Sequence, residues 1–224
     1  MAEQGGVAGV ILAAFGNGRR PLWLAPQGAR RRNRPMVDRL SIIFGSTRTG
    51  RVGAPVGAWA FDQAVSHGRF DVELIDLVDL DLPLLDEPRH PRLQQYEHEH
   101  TRRWSARVKA ADAFLFVTPE YDYFPSAALI NALQFLSHEW HYKPAAVMSY
   151  GGVSGGLRAT QEIRLLIANL NMMPIAQTVP VPFFARSIAE DGVFAPEEPV
   201  AEGLKLALDE LAKWSAALKP LRAG

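Results

Sequence analysis

The chain has no cysteine in 224 residues. Disulfides, thiolate nucleophiles and zinc–thiolate sites are therefore excluded, and nothing argues for an oxidising compartment, so a cytoplasmic protein is expected. It also lacks net charge, because 24 basic residues balance 24 acidic ones, although the balance is uneven along the chain. Residues 1–35 carry a net charge of +5 and the remainder −5. No long apolar run is present near the start. The patch Val7–Phe15 is too short to span a bilayer, and its arginines follow it, which is the wrong order for a secretory signal.

Arg30, Arg31, Arg32 and Arg34 could form an arm for an anionic surface, but the favoured reading of residues 1–35 is a disordered basic extension outside the fold. Residues 36–224 are then one domain. Its 48% hydrophobic composition is ample for a single buried core, and neither nucleic acid nor membrane is expected as a partner.

What is present is concentrated in Leu40–Phe61. A short apolar run, Leu40 to Phe44, stops at Gly45 and gives way to hydroxyls, two arginines and two more glycines, after which Pro55 opens an alanine-rich helical pattern. A strand, a polar loop and a helix N-terminus in that order aim backbone N–H groups at one point. Ser46, Thr47 and Thr49 add hydroxyls there, and Arg48 and Arg51 add charge, so the point suits a phosphate. With no lysine in the loop and no G-x-G-x-x-G spacing, neither a nucleoside-triphosphate loop nor a dinucleotide loop is formed. The single phosphate of FMN in a flavodoxin-like fold remains, with a purely structural turn as the alternative.

Further along, Phe70–Ile75 reads as a second strand and Asp76–Pro91, with three prolines, as loop. Tyr96–Ala110 is helix-compatible. His98 and His100 lie two apart on it and should point to different faces, which argues for a solvated face over a metal site. Ala113–Val117 is the continuous apolar run of a central parallel strand, and a helix from Ser126, its N-cap, to about Ser137 follows the loop Thr118–Pro125. The histidines of His138-Glu139-Trp140-His141 are three apart and so miss the zinc-protease spacing, and no metal is expected. Strand four, Ala145–Ser149, runs into glycines whose N–H groups suit the carbonyl edge of an isoalloxazine. A helix from Leu157 to Leu170, a strand near Ile175–Val181 and an amphipathic last helix complete five strands and five helices.

Three motifs in order then carry a resemblance: Gly45-Ser46-Thr47-Arg48 with Arg51, Pro119-Glu120-Tyr121-Asp122, and Lys143-Pro144 leading to Ser149-Tyr150-Gly151-Gly152. Over residues 38–183 the chain resembles the NADPH-dependent FMN reductase family, which includes NAD(P)H:quinone and azo reductases. The resemblance implies an α/β, flavodoxin-like fold with a five-stranded parallel sheet in the order 2-1-3-4-5 and helices on both faces. It implies FMN as cofactor, NADPH or NADH as co-substrate, and a homodimer or dimer of dimers. By the same resemblance Ser46, Arg48, Arg51, Val52 and Gly53 would hold the phosphate, and Pro119, Glu120, Tyr121, Asp122 and Tyr123 with Tyr150, Gly151 and Gly152 the ring system. The chain departs from the family at Asp122, where asparagine is common. A carboxylate there, if it faced the ring, would disfavour negative charge on the reduced flavin.

Flavin itself transfers hydride, so no catalytic side chain is required, and Glu120 is read as a structural ion-pair partner before a proton donor. The expected function is hydride transfer from NAD(P)H through FMN to a small acceptor by a ping-pong route. The alternative is a flavin-binding carrier or redox-responsive interaction module with little turnover. A carrier favours a strongly acidic docking face, and −5 is modest. The dimer is expected through Leu133–Tyr142, because Phe135, Leu136, Trp140 and Tyr142 offer more apolar surface than one helix can bury.

Overall fold

The computed structural model describes residues 37–222; the basic extension expected over residues 1–35 lies outside them. Five strands, β1 Arg39–Phe44, β2 Asp71–Asp76, β3 Ala113–Pro119, β4 Pro144–Tyr150 and β5 Met173–Val181, form one parallel sheet in the order β2-β1-β3-β4-β5. Burial sets this order. Every residue of β3 and β4 is buried, as continuous apolar strands covered on both faces must be, whereas β2 alternates and lies at an edge. β5 takes the other edge, where Pro174 and Pro180, which lack a backbone N–H, are tolerated.

Among the described residues five helices of eight residues or more accompany the strands: α1 Ala54–His67, α2 Glu99–Ala110, α3 Ala127–Gln134, α4 Leu157–Asn169 and, after β5, α5 Glu198–Arg222. Even-numbered β1 residues Leu40, Ile42 and Phe44 pack with Val56, Ala60 and Ala64 of α1 and Leu204, Leu208 and Leu211 of α5. Ile43 points to the opposite face, where Trp104 and Val108 of α2, Leu129 and Leu133 of α3 and Ile163 and Ile167 of α4 close a second core. This is the period of two in a strand meeting the longer period of helices on each side. All strand carboxyl ends, and so the loops that follow β1, β3 and β4, lie at one edge of the sheet.

Several local expectations are corrected. Leu77–Leu80, read as loop, forms one helical turn capped by Asp76, whose side chain accepts from Val78 N–H. The second helix begins at Glu99, three residues later than expected, with His98 as N-cap in extended backbone. That placement takes His98 off the helix, and its ring stacks on His100 with centroids 5.2 Å apart. The largest correction concerns Leu133–Tyr142. Phe135, Leu136 and Trp140 are buried within the one chain, because a 3-10 turn at His138–Trp140 folds Trp140 back against Trp104 and Phe114. Three of the four residues offered as a dimer face are thus core and Tyr142 alone stays exposed, and truncating Trp140 to alanine would cost about 3–5 kcal/mol.

Candidate functional site

Gly45 stays attached to the sheet through its N–H, which donates to Val117 O at 2.9 Å, and the chain then leaves the ladder. Among the described residues the backbone N–H groups of Ser46, Thr47, Arg48 and Thr49 meet no protein backbone acceptor. α1 follows from its N-cap Gly53, which supplies no side-chain cap, and Pro55 in the first turn has no N–H to satisfy. The positive end of a fourteen-residue helix is therefore left open.

The two arginines of this loop do different work. Arg51 is committed: its Nη1 donates to Asp76 Oδ1 at 2.7 Å and to Ser46 O at 2.6 Å, its Nη2 to Asp76 Oδ2 at 2.5 Å, and its guanidinium lies 5.0 Å from the Phe44 ring centroid. It ties the loop to the end of β2. Arg48 is exposed and, among the described residues, has no carboxylate partner. Arg48 is the cation free to meet an anion.

The β3 loop forms the second wall. Tyr121 and Phe124 exchange backbone hydrogen bonds of 2.9 Å across Asp122 and Tyr123, whose φ values of 49° and 76° are both left-handed. That is the backbone of a tight hairpin turn which ordinarily takes Asn-Gly, so Tyr123 is held at a cost of roughly 1–2 kcal/mol. The Arg158 guanidinium, 4.1 Å from the Tyr123 ring centroid, offsets part of it. The turn carries Asp122 and Tyr123 out to an exposed tip, and neither is among the residues that line the crevice. Tyr121 turns inward, with its hydroxyl 3.2 Å from Ser46 Oγ.

Glu120 belongs to the third element. It accepts from Ser154 Oγ at 3.0 Å, from Arg158 N–H at 3.2 Å and from Arg158 Nε at 2.7 Å. Burial pushes its carboxyl pKa up, but hydrogen bonds from Arg158, Ser154 and the Ala159 N–H outweigh this and hold it below the usual range. Its carboxylate thus sits at the N-terminus of α4, whose own N-cap, Gly156 at φ 83°, has no side chain; a Cβ there would fall 2.6 Å from Ser149 Cβ. This is the structural role expected of Glu120.

After β4, the Gly151 N–H donates to Val181 O at 3.3 Å, while the Gly152 N–H has no backbone acceptor among the described residues. Tyr150 points the other way. Its ring lies between Phe44, stacked at 6.3 Å, and Phe184 at 4.8 Å, and is only 3% exposed. Its hydroxyl has no hydrogen-bond partner and lies so close to Gly53 that a Cβ there would be 2.5 Å away.

Ser46, Arg48, Arg51, Val52, Gly53, Pro119, Glu120, Tyr121, Tyr150 and Gly151 line one crevice. Of the residues singled out from the sequence, Asp122, Tyr123 and Gly152 lie outside its lining. Phe184 lines it and was missed; the only signal was a Pro/Phe loop after β5. A larger hollow of about 270 Å³ lies beside Thr47, between Leu77–Leu82 and α3. Its charged lining residue is Asp81, with no cation to receive a phosphate, so the crevice carries the argument. The donor set there fits FMN: an open helix end, unpaired loop N–H groups, a free arginine and flanking aromatic rings.

The comparisons agree with this geometry. A family model described as NADPH-dependent FMN reductase matches residues 39–186. The chain is 36% identical over 163 residues to an NAD(P)H-dependent FMN reductase of Schizosaccharomyces pombe, covering 72% of this chain and 80% of that one. It is 35% identical over 193 residues to an NAD(P)H-dependent FMN reductase of a Nectria species, covering 78% and 96%. In fold it is similar to the flavoenzyme FerB, an NAD(P)H:(acceptor) oxidoreductase of Paracoccus denitrificans, with a TM-score of 0.62 at 24% identity over 81% of this chain and 98% of that one. A family match that spans the three loops of this crevice, at the carboxyl edge of a flavodoxin-like sheet, leads to one conclusion: the chain belongs to the NADPH-dependent FMN reductase family of oxidoreductases.

Proposed function

We propose that this protein oxidises NAD(P)H and reduces a small acceptor such as a quinone, free flavin or azo compound, in two alternating half-reactions. The observation that carries the reading is the convergence of the uncapped α1 N-terminus and the unpaired Arg48 with the Pro119–Tyr121 and Tyr150–Gly151 segments on one crevice. FMN bound there supplies the hydride chemistry. The protein's part is placement. The Ser46–Thr49 N–H groups and Arg48 receive the phosphate; Pro119 and Tyr121 form one wall; Tyr150, Gly151 and Phe184 form the other. Glu120, held ionised by Arg158 and Ser154, is spent on α4 and donates no proton.

With walls on the sheet side and one face open, nicotinamide and acceptor compete for the same space. Initial rates measured against NAD(P)H at several acceptor concentrations should give parallel lines. NADPH added anaerobically, without acceptor, should bleach the flavin absorbance. Intersecting lines would mean a ternary complex, and a flavin that stays yellow under NADPH would favour a carrier. Exposed Tyr123, Phe124 and Val153 beside the crevice support assembly as a homodimer, in place of the buried Leu133–Trp140 segment. Sedimentation at micromolar concentration showing monomer alone would remove that part.

A further inference from the structure

Two guanidinium groups lie over exposed aromatic rings beside the crevice, and they are used differently. Arg158, 4.1 Å from the Tyr123 ring centroid, is paired with Glu120 through its Nε at 2.7 Å. Arg186 lies 4.3 Å from the ring centroid of Phe183, and among the described residues its side chain meets no carboxylate and makes no hydrogen bond. Its place is fixed by the backbone. Phe183 takes a left-handed φ of 47° and donates its N–H to Gly152 O at 3.0 Å, and the Arg186 N–H donates to Phe183 O at 2.8 Å within the 3-10 turn Phe184–Ser187. Phe184, in the same turn, lines the crevice. The free arginine therefore stands on a pinned turn at the rim, beside the glycines that follow β4. A guanidinium whose face is covered by a ring keeps its N–H donors along its edge, the arrangement that meets two phosphate oxygens at once.

We infer that Arg186 receives the 2′-phosphate of the nicotinamide dinucleotide, so that this protein selects NADPH over NADH. The inference rests on the proposed reaction at the crevice and deepens it. The two nucleotides differ only in that phosphate monoester, which lies on the adenosine ribose, away from the hydride. A dinucleotide with its nicotinamide over the open face of the crevice must lay its adenosine half on the rim, where Arg186 stands. Arg48, the other free cation, is taken by the flavin phosphate on the same reading. Nothing in the lining favours NADH. A ribose 2′-hydroxyl is ordinarily received by a carboxylate, and the one carboxylate among the lining residues, Glu120, is already engaged by Arg158 and Ser154.

The test is Arg186→Ala in the FMN-loaded protein. kcat/KM is measured with NADPH and with NADH, and calorimetry follows the binding of adenosine 2′,5′-bisphosphate and of AMP, which lacks the 2′-phosphate. Wild type should favour NADPH, and the variant should lose on the order of tenfold with NADPH, through KM, while NADH stays within about twofold. Wild type should bind the bisphosphate more tightly than AMP, and the variant should bind the two alike. FMN affinity, titrated on apoprotein, should be the same in both proteins. Equal losses with the two nucleotides, no loss with NADPH, or a fall in FMN affinity would each overturn the assignment, the last by placing Arg186 on the flavin. Wild type that oxidises neither nucleotide would instead overturn the proposed function, and this inference with it.

Discussion

Two helices start at the carboxyl edge of this sheet from a glycine N-cap with no capping side chain, and they are treated in opposite ways. At α4 the protein supplies its own anion: Glu120 reaches across from the β3 loop to accept from the Arg158 N–H and to pair with the Arg158 guanidinium. At α1 no carboxylate arrives. Asp76, at the end of β2, is occupied by Arg51, and among the described residues the loop N–H groups stay unpaired. The contrast teaches that an open helix end is a position from which the protein has withheld an available solution. A third end agrees: at the C-terminus of α2, Lys143 donates to Val108 O at 2.7 Å and to Lys109 O at 3.3 Å.

The largest effect on this comparison should come from Arg48→Ala. It should weaken FMN binding by roughly ten- to a hundredfold, the worth of a charged hydrogen bond, and leave the apoprotein's thermal midpoint in place. Fluorescence titration with FMN checks the first, and unchanged affinity would remove the phosphate assignment from this loop. Glu120→Gln should show the reverse pattern. Arg158 is 42% exposed, so screening keeps the loss of stability at neutral pH small, with FMN affinity within a fewfold. Because the folded-state pKa of Glu120 is depressed, its contribution is present above the ordinary glutamate value of 4.5 and lost as pH falls through the lower folded value. Denaturant midpoints of wild type and variant should therefore converge in acid; a gap that persists there would mean a packing effect.

Lys143 gives a slope of the same sign in the alkaline range. Burial first, and then Arg222, push its pKa down to about 8, so between that value and the ordinary 10.5 the unfolded chain binds more protons than the folded one. Its contribution to stability should rise with pH across that window, and the gap between wild type and Lys143→Met should change accordingly in urea melts from pH 7.5 to 10. A gap independent of pH would show that the ammonium is not the group that titrates. The smallest effect is expected from deleting residues 1–35, which should leave FMN affinity and thermal midpoint within error at both helix ends.

The strands and the three loops were legible in the sequence because each is a local pattern: an apolar run cut by glycine, or one cut by Pro-Glu-Tyr. What failed to show were partners brought together from afar. Arg51 looked as free as Arg48 until the end of β2 placed Asp76 beside it. Trp140 looked like surplus surface because no count of apolar residues reveals a 3-10 turn that returns it to Trp104. Asp122 and Tyr123 follow a strand as crevice residues do, but two consecutive left-handed residues turn them outward. Phe184 gave little warning, since one aromatic after an edge strand has many uses.

The sheet order also has a consequence for how the protein is made. β1 pairs with β2 and with β3, and Leu40 meets Ala113, so the strand that begins the crevice waits for a segment synthesised much later. The crevice's remaining wall needs Tyr150 and then Phe184, which leave the ribosome later still. A nascent chain that has emerged only as far as β3 presents an open α1 end with nothing opposite it. The crevice is therefore completed late on the growing polypeptide, and chains that stall before β5 should lack the wall that Phe184 supplies.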